Sequence, residues 1–107
     1  MAGSDNGQGI YLVIQFNWPD TFKPEYGEAA KALHQRVVDT SWIEEVLAAS
    51  GGIGAGPSSL WIFRIEDYGS LDRLLHAKDD PVSSAYNEFF SQMVNVEEIL
   101  REQVIFL

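Results

Sequence analysis

The two histidines, His34 and His76, are the side chains of this sequence best suited to carry a proton near neutral pH. His34 falls about 80° around a predicted helix from the centre of its apolar stripe, at the boundary of the buried face. His76 follows two leucines, just before a second helical region breaks. The alternative for each is an exposed helix histidine without a chemical role. We keep both as candidate catalytic residues.

Four polar side chains lie near the ends of two predicted strands that are otherwise strongly apolar. Gln15 and Asn17 lie near the end of the first strand, and Arg64 and Glu66 near the end of another. If these ends converge at one mouth of the fold, Arg64 would hold a carboxylate, phenolate or enolate oxygen that Asn17 or Gln15 would orient. The alternative is a rim ion pair between Arg64 and Glu66, which would contribute little to stability. The functional interpretation is a site for a small anionic molecule.

Residue types and spacing disfavour several other kinds of site. The 107 residues include no cysteine, which removes disulfides, thiolate metal sites and a cysteine nucleophile. The two histidines are far apart and in no metal-binding spacing, so we predict no metal site and no cofactor. The glycine-rich segment 51–56 lacks the Lys-Ser/Thr of a phosphate loop, and it predicts a turn with positive φ angles.

The charge balance disfavours two classes of partner. Lysine and arginine number 7 and aspartate and glutamate 16, a formal net charge of −9. Such a chain repels nucleic acid and anionic membrane surfaces. No apolar run approaches the roughly 20 residues that cross a bilayer, and the first nine residues lack the pattern of a secretion signal. We expect a soluble, cytoplasmic protein that binds neither nucleic acid nor membrane.

Alternating apolar residues predict the strands that must position these side chains. Residues 10–18 and 59–66 each have one wholly apolar face. Residues 53–57 are so rich in glycine that they predict only a short, weak strand. Residues 102–107 predict a terminal strand, which would tie the apolar end of the chain into a sheet.

A first helix is predicted over residues 25–38, where apolar residues recur at steps of three and four. After residue 38 the apolar residues no longer fall on the same side of a continuous helix. A capping-box pattern, Ser41 with Glu44, predicts a second helical piece over residues 42–49. A strand at residues 43–47 is the competing interpretation, ranked second because two adjacent glutamates break its alternation.

Two further helices are predicted in the second half of the chain. Ser70 caps a short one whose leucines point inward. Asp80 and Pro81 supply the N-cap and the first residue of the strongest helix, whose apolar stripe runs from Val82 to Met93.

The order β, α, β, β, α, β predicts an α+β fold of the ferredoxin-like, split βαβ type, a four-stranded antiparallel sheet with helices on one face. Residues 10–107 would form this single domain after a flexible tail at residues 1–9. If the other face stayed exposed to water, the protein would lose the hydrophobic stabilisation of burying it, roughly 25 cal/mol per Å² of apolar area. A second copy related by a two-fold axis is therefore expected to cover it. The apolar residues of that face include Tyr11, Val13, Leu60 and Ile62.

Several local patterns together resemble one superfamily. A first strand at residues 11–17 ends in polar residues, Glu66-Asp67-Tyr68 follows the strong strand, and Asp79-Asp80-Pro81 opens an aromatic helix. Over residues 10–107 the order of elements resembles the dimeric α+β barrel superfamily, which includes antibiotic-biosynthesis monooxygenases, EthD-like proteins and stress-responsive barrel proteins. The resemblance implies a homodimer with a small cavity in each protomer.

The resemblance also implies a partner for a catalytic histidine. Some branches pair a histidine near the position of His76 with a tyrosine, and Tyr68 or Tyr86 could serve here. The cavity would lie between sheet and helices or within the barrel.

Two classes of function are therefore expected. The first is a cofactor-independent enzyme of the isomerase, cyclase or monooxygenase type, acting on a small aromatic or polyketide-like molecule. The second is a non-catalytic dimer that binds a small ligand or responds to stress. The enzyme class requires an imidazole or tyrosine hydroxyl at a cavity that also receives Arg64. The candidate catalytic residues are His34, His76 and Tyr68. The candidate substrate-binding residues are Tyr11, Gln15, Asn17, Arg64, Glu66 and Tyr86.

Overall fold

Seven elements form the fold in the computed structural model, which describes residues 9–106. Their order is β1 (Ile10–Asn17), α1 (Pro24–Val38), β2 (Ile43–Ser50), β3 (Ser59–Ile65), α2 (Tyr68–His76), α3 (Pro81–Phe90) and β4 (Val94–Glu102). The strands form an antiparallel sheet in the order β2-β3-β1-β4. This is the predicted α+β, ferredoxin-like arrangement, so the fold class is confirmed.

Strict alternation on the two central strands builds the core. On β1 and β3 every second side chain is buried beneath the helices, and the others are half-buried on the opposite face. Buried strand residues include Ile10, Leu12, Ile14, Phe16, Trp61, Phe63 and Ile65, and buried helix residues include Leu33, Val37, Leu74, Val82, Tyr86, Phe89 and Phe90.

Aspartates begin the two short helices. Asp80 accepts a hydrogen bond from the Val82 N–H (3.4 Å) and Pro81 is the first helical residue of α3, as predicted. The N-cap of α2 lies three residues before Ser70, the residue predicted to cap it. Asp67 is the cap, and Ser70 donates its backbone N–H to that carboxylate (2.8 Å).

The second element differs most from its prediction. Residues 42–49 do not form a helix, and β2 occupies Ile43–Ser50, close to the alternative strand at 43–47. A shift in register between Ile43 and Glu45 accommodates the adjacent glutamates as a bulge, which explains the broken alternation. The weak strand predicted at 53–57 is absent, and four glycines between residues 51 and 56 adopt positive φ in a loop, as their turn prediction requires.

The last strand also lies earlier than predicted. The strand expected at 102–107 is replaced by β4 at Val94–Glu102, and the helix expected to reach Met93 ends at Phe90. Asn95, with φ 56°, lies within β4 where the register with β1 shifts between Gln15 and Asn17. β4 is mostly exposed and four of its nine residues are charged, as is common in edge strands, so it shows no clear alternation in the sequence.

Gly9 belongs to the sheet end rather than to a tail. Its N–H donates to Gln103 Oε1 (3.1 Å), and its carbonyl accepts from the Gln103 N–H (3.0 Å). A Cβ here would lie 3.3 Å from the Ile65 carbonyl oxygen. The rest of the tail predicted at 1–9 lies outside the described residues, as does Leu107.

The face of the sheet opposite the helices, here called the open face, carries three rows of side chains across the four strands. The middle row is entirely aliphatic, one flanking row is mostly charged, and the other is mixed. From β2 to β4 the rows are Glu45–Arg64–Tyr11–Arg101, Leu47–Ile62–Val13–Ile99 and Ala49–Leu60–Gln15–Glu97. Within residues 9–106, no helix has the length and apolar character needed to cross a membrane.

Candidate functional site

A cleft on the helix side of the sheet, between α1 and the β2 edge, is the best candidate for a binding site; we call it the α1–β2 cleft. Two neighbouring hollows that both contact Trp61 make up its two parts, with volumes of about 370 and 270 Å³. Helix α1 lines the first part with Ala30, Lys31, His34 and Gln35. The sheet and the chain after β1 line the second part with Phe16, Trp18, Ala48, Ser50 and Ser59.

Small side chains on β2 leave this cleft open. The register sets Ala48 opposite Trp61 and Ser50 opposite Ser59 on the helix side of the sheet. Helix α1 packs mainly against α3 and approaches β2 less closely. The hydroxyl oxygens of Ser50 and Ser59 are 2.8 Å apart, so they form a hydrogen-bonded pair at the cleft. The result is an open groove in which apolar side chains alternate with a few hydrogen-bonding groups, a mixture found in small-molecule sites.

Aromatic packing fixes the tryptophans that line the cleft. The Phe89 ring centroid lies 5.4 Å from that of Trp18 and 5.5 Å from that of Trp61. Phe16 packs edge-on against Phe89, with centroids 5.7 Å apart. Because Phe89 is fully buried, it holds both indoles in place. The two indoles thus form a rigid part of the cleft wall, in which Trp18 is partly exposed and Trp61 exposes only 7% of its surface.

His34 is the predicted catalytic residue that lines this cleft. Its side chain lies in the first part, beside Lys31 and Trp61. Within residues 9–106 no hydrogen bond or salt bridge engages its imidazole, so both ring nitrogens can serve a ligand. His34 as a catalytic group stays a prediction.

The other two predicted catalytic residues lie elsewhere. The His76 Nδ1 is 3.0 Å from Asp72 Oδ1, one turn away on α2, and the side chain is 71% exposed. The Tyr68 hydroxyl donates to Glu102 (2.8 Å), and this hydrogen bond raises the pKa of the Tyr68 hydroxyl. Neither side chain lines the α1–β2 cleft.

Tyr86 is buried in the core rather than at a site mouth. Its hydroxyl donates to Glu98 (2.6 Å), which ties α3 to β4. Burial, reinforced by this hydrogen bond, raises the pKa of Tyr86 far above its ordinary value. The phenol therefore stays neutral in the folded protein. Its contribution to folding stability is fully present below about pH 10, the pKa of tyrosine in the unfolded chain, and is lost as the pH rises above that value.

Arg64 lies on the open face, on the opposite side of the sheet from the cleft. Its guanidinium bonds Glu44 Oε1 (3.1 Å) and Gln103 Oε1 (3.3 Å), and the side chain is 31% exposed. The predicted alternative, a rim pair with Glu66, is thus replaced by a pair with Glu44 across the strands. Glu66 is exposed just past β3, and its backbone N–H donates to the Trp42 carbonyl (3.1 Å).

The predicted convergence of polar strand ends is wrong. Arg64 pairs with Tyr11 at the start of β1, whereas Asn17 lies six residues further along, about 20 Å away at 3.3 Å per residue. Antiparallel neighbouring strands run in opposite directions, so the last residues of β1 and β3 lie at opposite ends of the sheet and cannot meet. Asn17 instead accepts from the Ser58 N–H (3.1 Å), and Gln15 contacts the glycine loop at Gly56.

A second, polar cavity of about 400 Å³ lies where the ends of the helices meet. Trp42, Arg36 and Asp39 line it together with residues of α2 and α3. The Arg73 guanidinium lies 4.8 Å over the Trp42 ring and bonds Asp80 through Nε (2.6 Å). These contacts clamp α2 to the start of α3, so we assign this cavity a structural role.

Sequence reasoning missed the small side chains that make the cleft. Ala48, Ser50 and Ser59 carry no chemical signal alone, and β2 had been predicted as a helix. Lys31 was also missed. No group of three or more histidine, aspartate or glutamate side chains is arranged to hold a metal ion within residues 9–106.

Comparisons with known proteins bear on the fold. No family model and no curated protein matches the sequence. A dimeric ferredoxin-like protein of unknown function from Thermobifida fusca is 18% identical, with 92% of each chain covered and a TM-score of 0.63. A DABB family protein with a ferredoxin-like fold from Mesorhizobium loti is 9% identical (92% of this chain, 98% of the other, TM-score 0.62), and an EthD family protein from Bacillus halodurans is 13% identical (90% and 99%, TM-score 0.60). The chain therefore shares the fold of these three proteins, and this is the ferredoxin-like fold described for the Thermobifida fusca and Mesorhizobium loti proteins.

Proposed function

We propose that this protein binds a small, flat, largely apolar molecule in the α1–β2 cleft. The observation that carries the proposal is the indole of Trp61, which joins an apolar part of the cleft to a part lined by His34. The larger part, about 370 Å³, lies near the lower end of the roughly 300–1,000 Å³ range of ligand sites, and the smaller part, about 270 Å³, lies just below it. A molecule of one or two rings suits such a cleft.

The protein acts as a homodimer in this proposal. The aliphatic middle row of the open face, with Leu47 54% exposed, needs a cover, and a second copy supplies an identical apolar row about a two-fold axis. The dimeric protein from Thermobifida fusca supports this assembly. The cleft lies on the helix side, so pairing through the open face leaves it accessible. A cytoplasmic location stays a prediction from the sequence.

Filling the cleft tests the binding role. Ala48→Leu places a larger side chain over Trp61 and is expected to weaken binding of the neutral probe 2-naphthamide at least tenfold in isothermal titration calorimetry. Ala32→Leu is the control, because Ala32 is exposed on α1 and does not line the cleft. Equal affinity of Ala48→Leu and wild type, or no binding to wild type, would refute the proposal.

Proton transfer by His34 is the second candidate function. Its imidazole, unengaged within residues 9–106, is placed to take a proton from a carbon next to a carbonyl and return it elsewhere, which is the step of a cofactor-independent isomerase or cyclase. The Tyr68 and Tyr86 hydroxyls and Arg64 lie outside the cleft, so His34 acts without the partners predicted for it. This arrangement favours the non-catalytic class over the enzyme class.

Deuterium exchange distinguishes the two classes. With 2-tetralone in D₂O, an enzyme would speed exchange of the protons beside the carbonyl above the buffer rate, measured by proton NMR. His34→Gln is expected to abolish that excess, since glutamine keeps hydrogen bonding but cannot act as a base. His76→Gln is the control on α2. No excess exchange with wild type would leave binding as the sole function.

A further inference from the structure

The charge of the α1–β2 cleft differs from that of the rest of the chain. Among the described residues that line its two parts, none is acidic, although the chain has 16 acidic and 7 basic residues. Lys31 is the one lining residue with a permanent charge. His34 adds a second positive charge whenever its imidazole is protonated.

Lys31 and His34 lie one turn apart on α1, so both side chains project toward the same side of the helix. A lysine can lay its apolar stem along a surface and bring its ammonium group over a neighbouring hollow. Within residues 9–106 Lys31 forms no salt bridge, not even with Glu28 one turn earlier. Its ammonium is therefore available to a ligand.

The other cations near cavities have acidic residues in their surroundings. Arg64 bonds Glu44 on the open face, and Arg73 bonds Asp80 in the polar cavity. Arg36 lines the same cavity, whose lining also includes Asp39. Among these described sites, the α1–β2 cleft is thus the one that combines a lysine with a lining free of acidic residues.

We infer that the ligand of this cleft is a planar anion, an aromatic carboxylate, phenolate or enolate, and that Lys31 binds its charge. The inference rests on the proposed binding function. The flat part of the ligand lies against the exposed part of Trp61, with its apolar end toward Trp18 and Ala48. Its charged oxygen lies at the α1 wall, within reach of Lys31 and beside His34.

Two probes of the same shape separate charge from fit: 2-naphthoate and its neutral counterpart 2-naphthamide, titrated by calorimetry into the full chain. Wild type is expected to bind the anion about tenfold more tightly than the amide, the scale of one charge-assisted hydrogen bond. Lys31→Met, which keeps the length of the stem, is expected to lose this preference while its affinity for the amide is unchanged. The preference of wild type should also shrink as salt is raised.

Lys23→Met is the matched control, because Lys23 is an exposed lysine just before α1 and outside the cleft. It is expected to bind both probes as wild type does. Equal affinity of wild type for the two probes, or equal weakening by the two substitutions, would overturn the role of Lys31 and leave the binding function intact. Failure of wild type to bind either probe would overturn both.

Discussion

Ile62→Asp is expected to convert a dimer of about twice 12.0 kDa into a monomer. Ile62 lies in the aliphatic middle row of the open face, between Leu47 and Val13 on neighbouring strands. A carboxylate there would be buried without a partner when two copies pair, which costs several kcal/mol. Light scattering coupled to size exclusion at micromolar concentration measures the mass directly.

Ile53→Asp supplies the control for this experiment. Ile53 is fully exposed in the glycine loop, so the same exchange of side chain should leave the dimer intact. A wild-type monomer at ten micromolar, or an Ile62→Asp protein that stays dimeric, would show that the open face does not pair with a second copy.

Phe89→Ala is expected to lower the free energy of unfolding by about 3–5 kcal/mol, the usual cost of removing a buried phenyl ring. Phe89 is fully buried, and its ring packs against Phe16, Phe90 and the two cleft tryptophans. Urea unfolding followed by fluorescence gives the change, with all variants at one protomer concentration because pairing shifts apparent stability.

Phe22→Ala is the comparison for Phe89→Ala. Phe22 is 61% exposed and touches Trp18 and Tyr26 at the surface, so its loss should cost less than about 1 kcal/mol. Because Phe89 supports the indoles of the cleft, its loss should also weaken binding of 2-naphthamide. Similar destabilisation by the two substitutions would contradict the central role of the Phe89 cluster.

The central half of the fold could be predicted from the sequence because its signals are local. β1 and β3 have buried neighbours on one face, and this burial selects the apolar alternation seen at Ile10–Asn17 and Ser59–Ile65. Asp80-Pro81 begins α3 through a cap and a fixed φ angle, both of which depend only on nearby residues.

The edge strands could not be predicted in the same way. β2 and β4 each have one free edge and mostly exposed side chains, so burial selects few of their residues. The bulge between Ile43 and Glu45 further disrupted the pattern of β2. Propensity and a capping-box match then favoured a helix, and the pairing with β3 overrode them.

The candidate site was predictable only in part. His34 was singled out by residue type and helical position, and it lines the cleft. The prediction that Arg64 and Asn17 converge was wrong because of the strand topology. In an antiparallel sheet the last residues of adjacent strands lie at opposite ends of the sheet. The proposed roles of Lys31 and Ala48 depend on the space between α1 and β2, and no local pattern in the sequence predicts that space.

The site of ligand binding can be read from the three tryptophan indoles. In ¹⁵N-labelled protein each indole N–H gives one resonance, and the three report on different places: Trp61 and Trp18 line the α1–β2 cleft, and Trp42 lines the polar cavity. On titration with 2-naphthoate, the Trp61 and Trp18 signals are expected to shift together while the Trp42 signal stays fixed. A shift of Trp42 alone, or no shift of any indole at millimolar probe, would contradict a ligand site in the α1–β2 cleft.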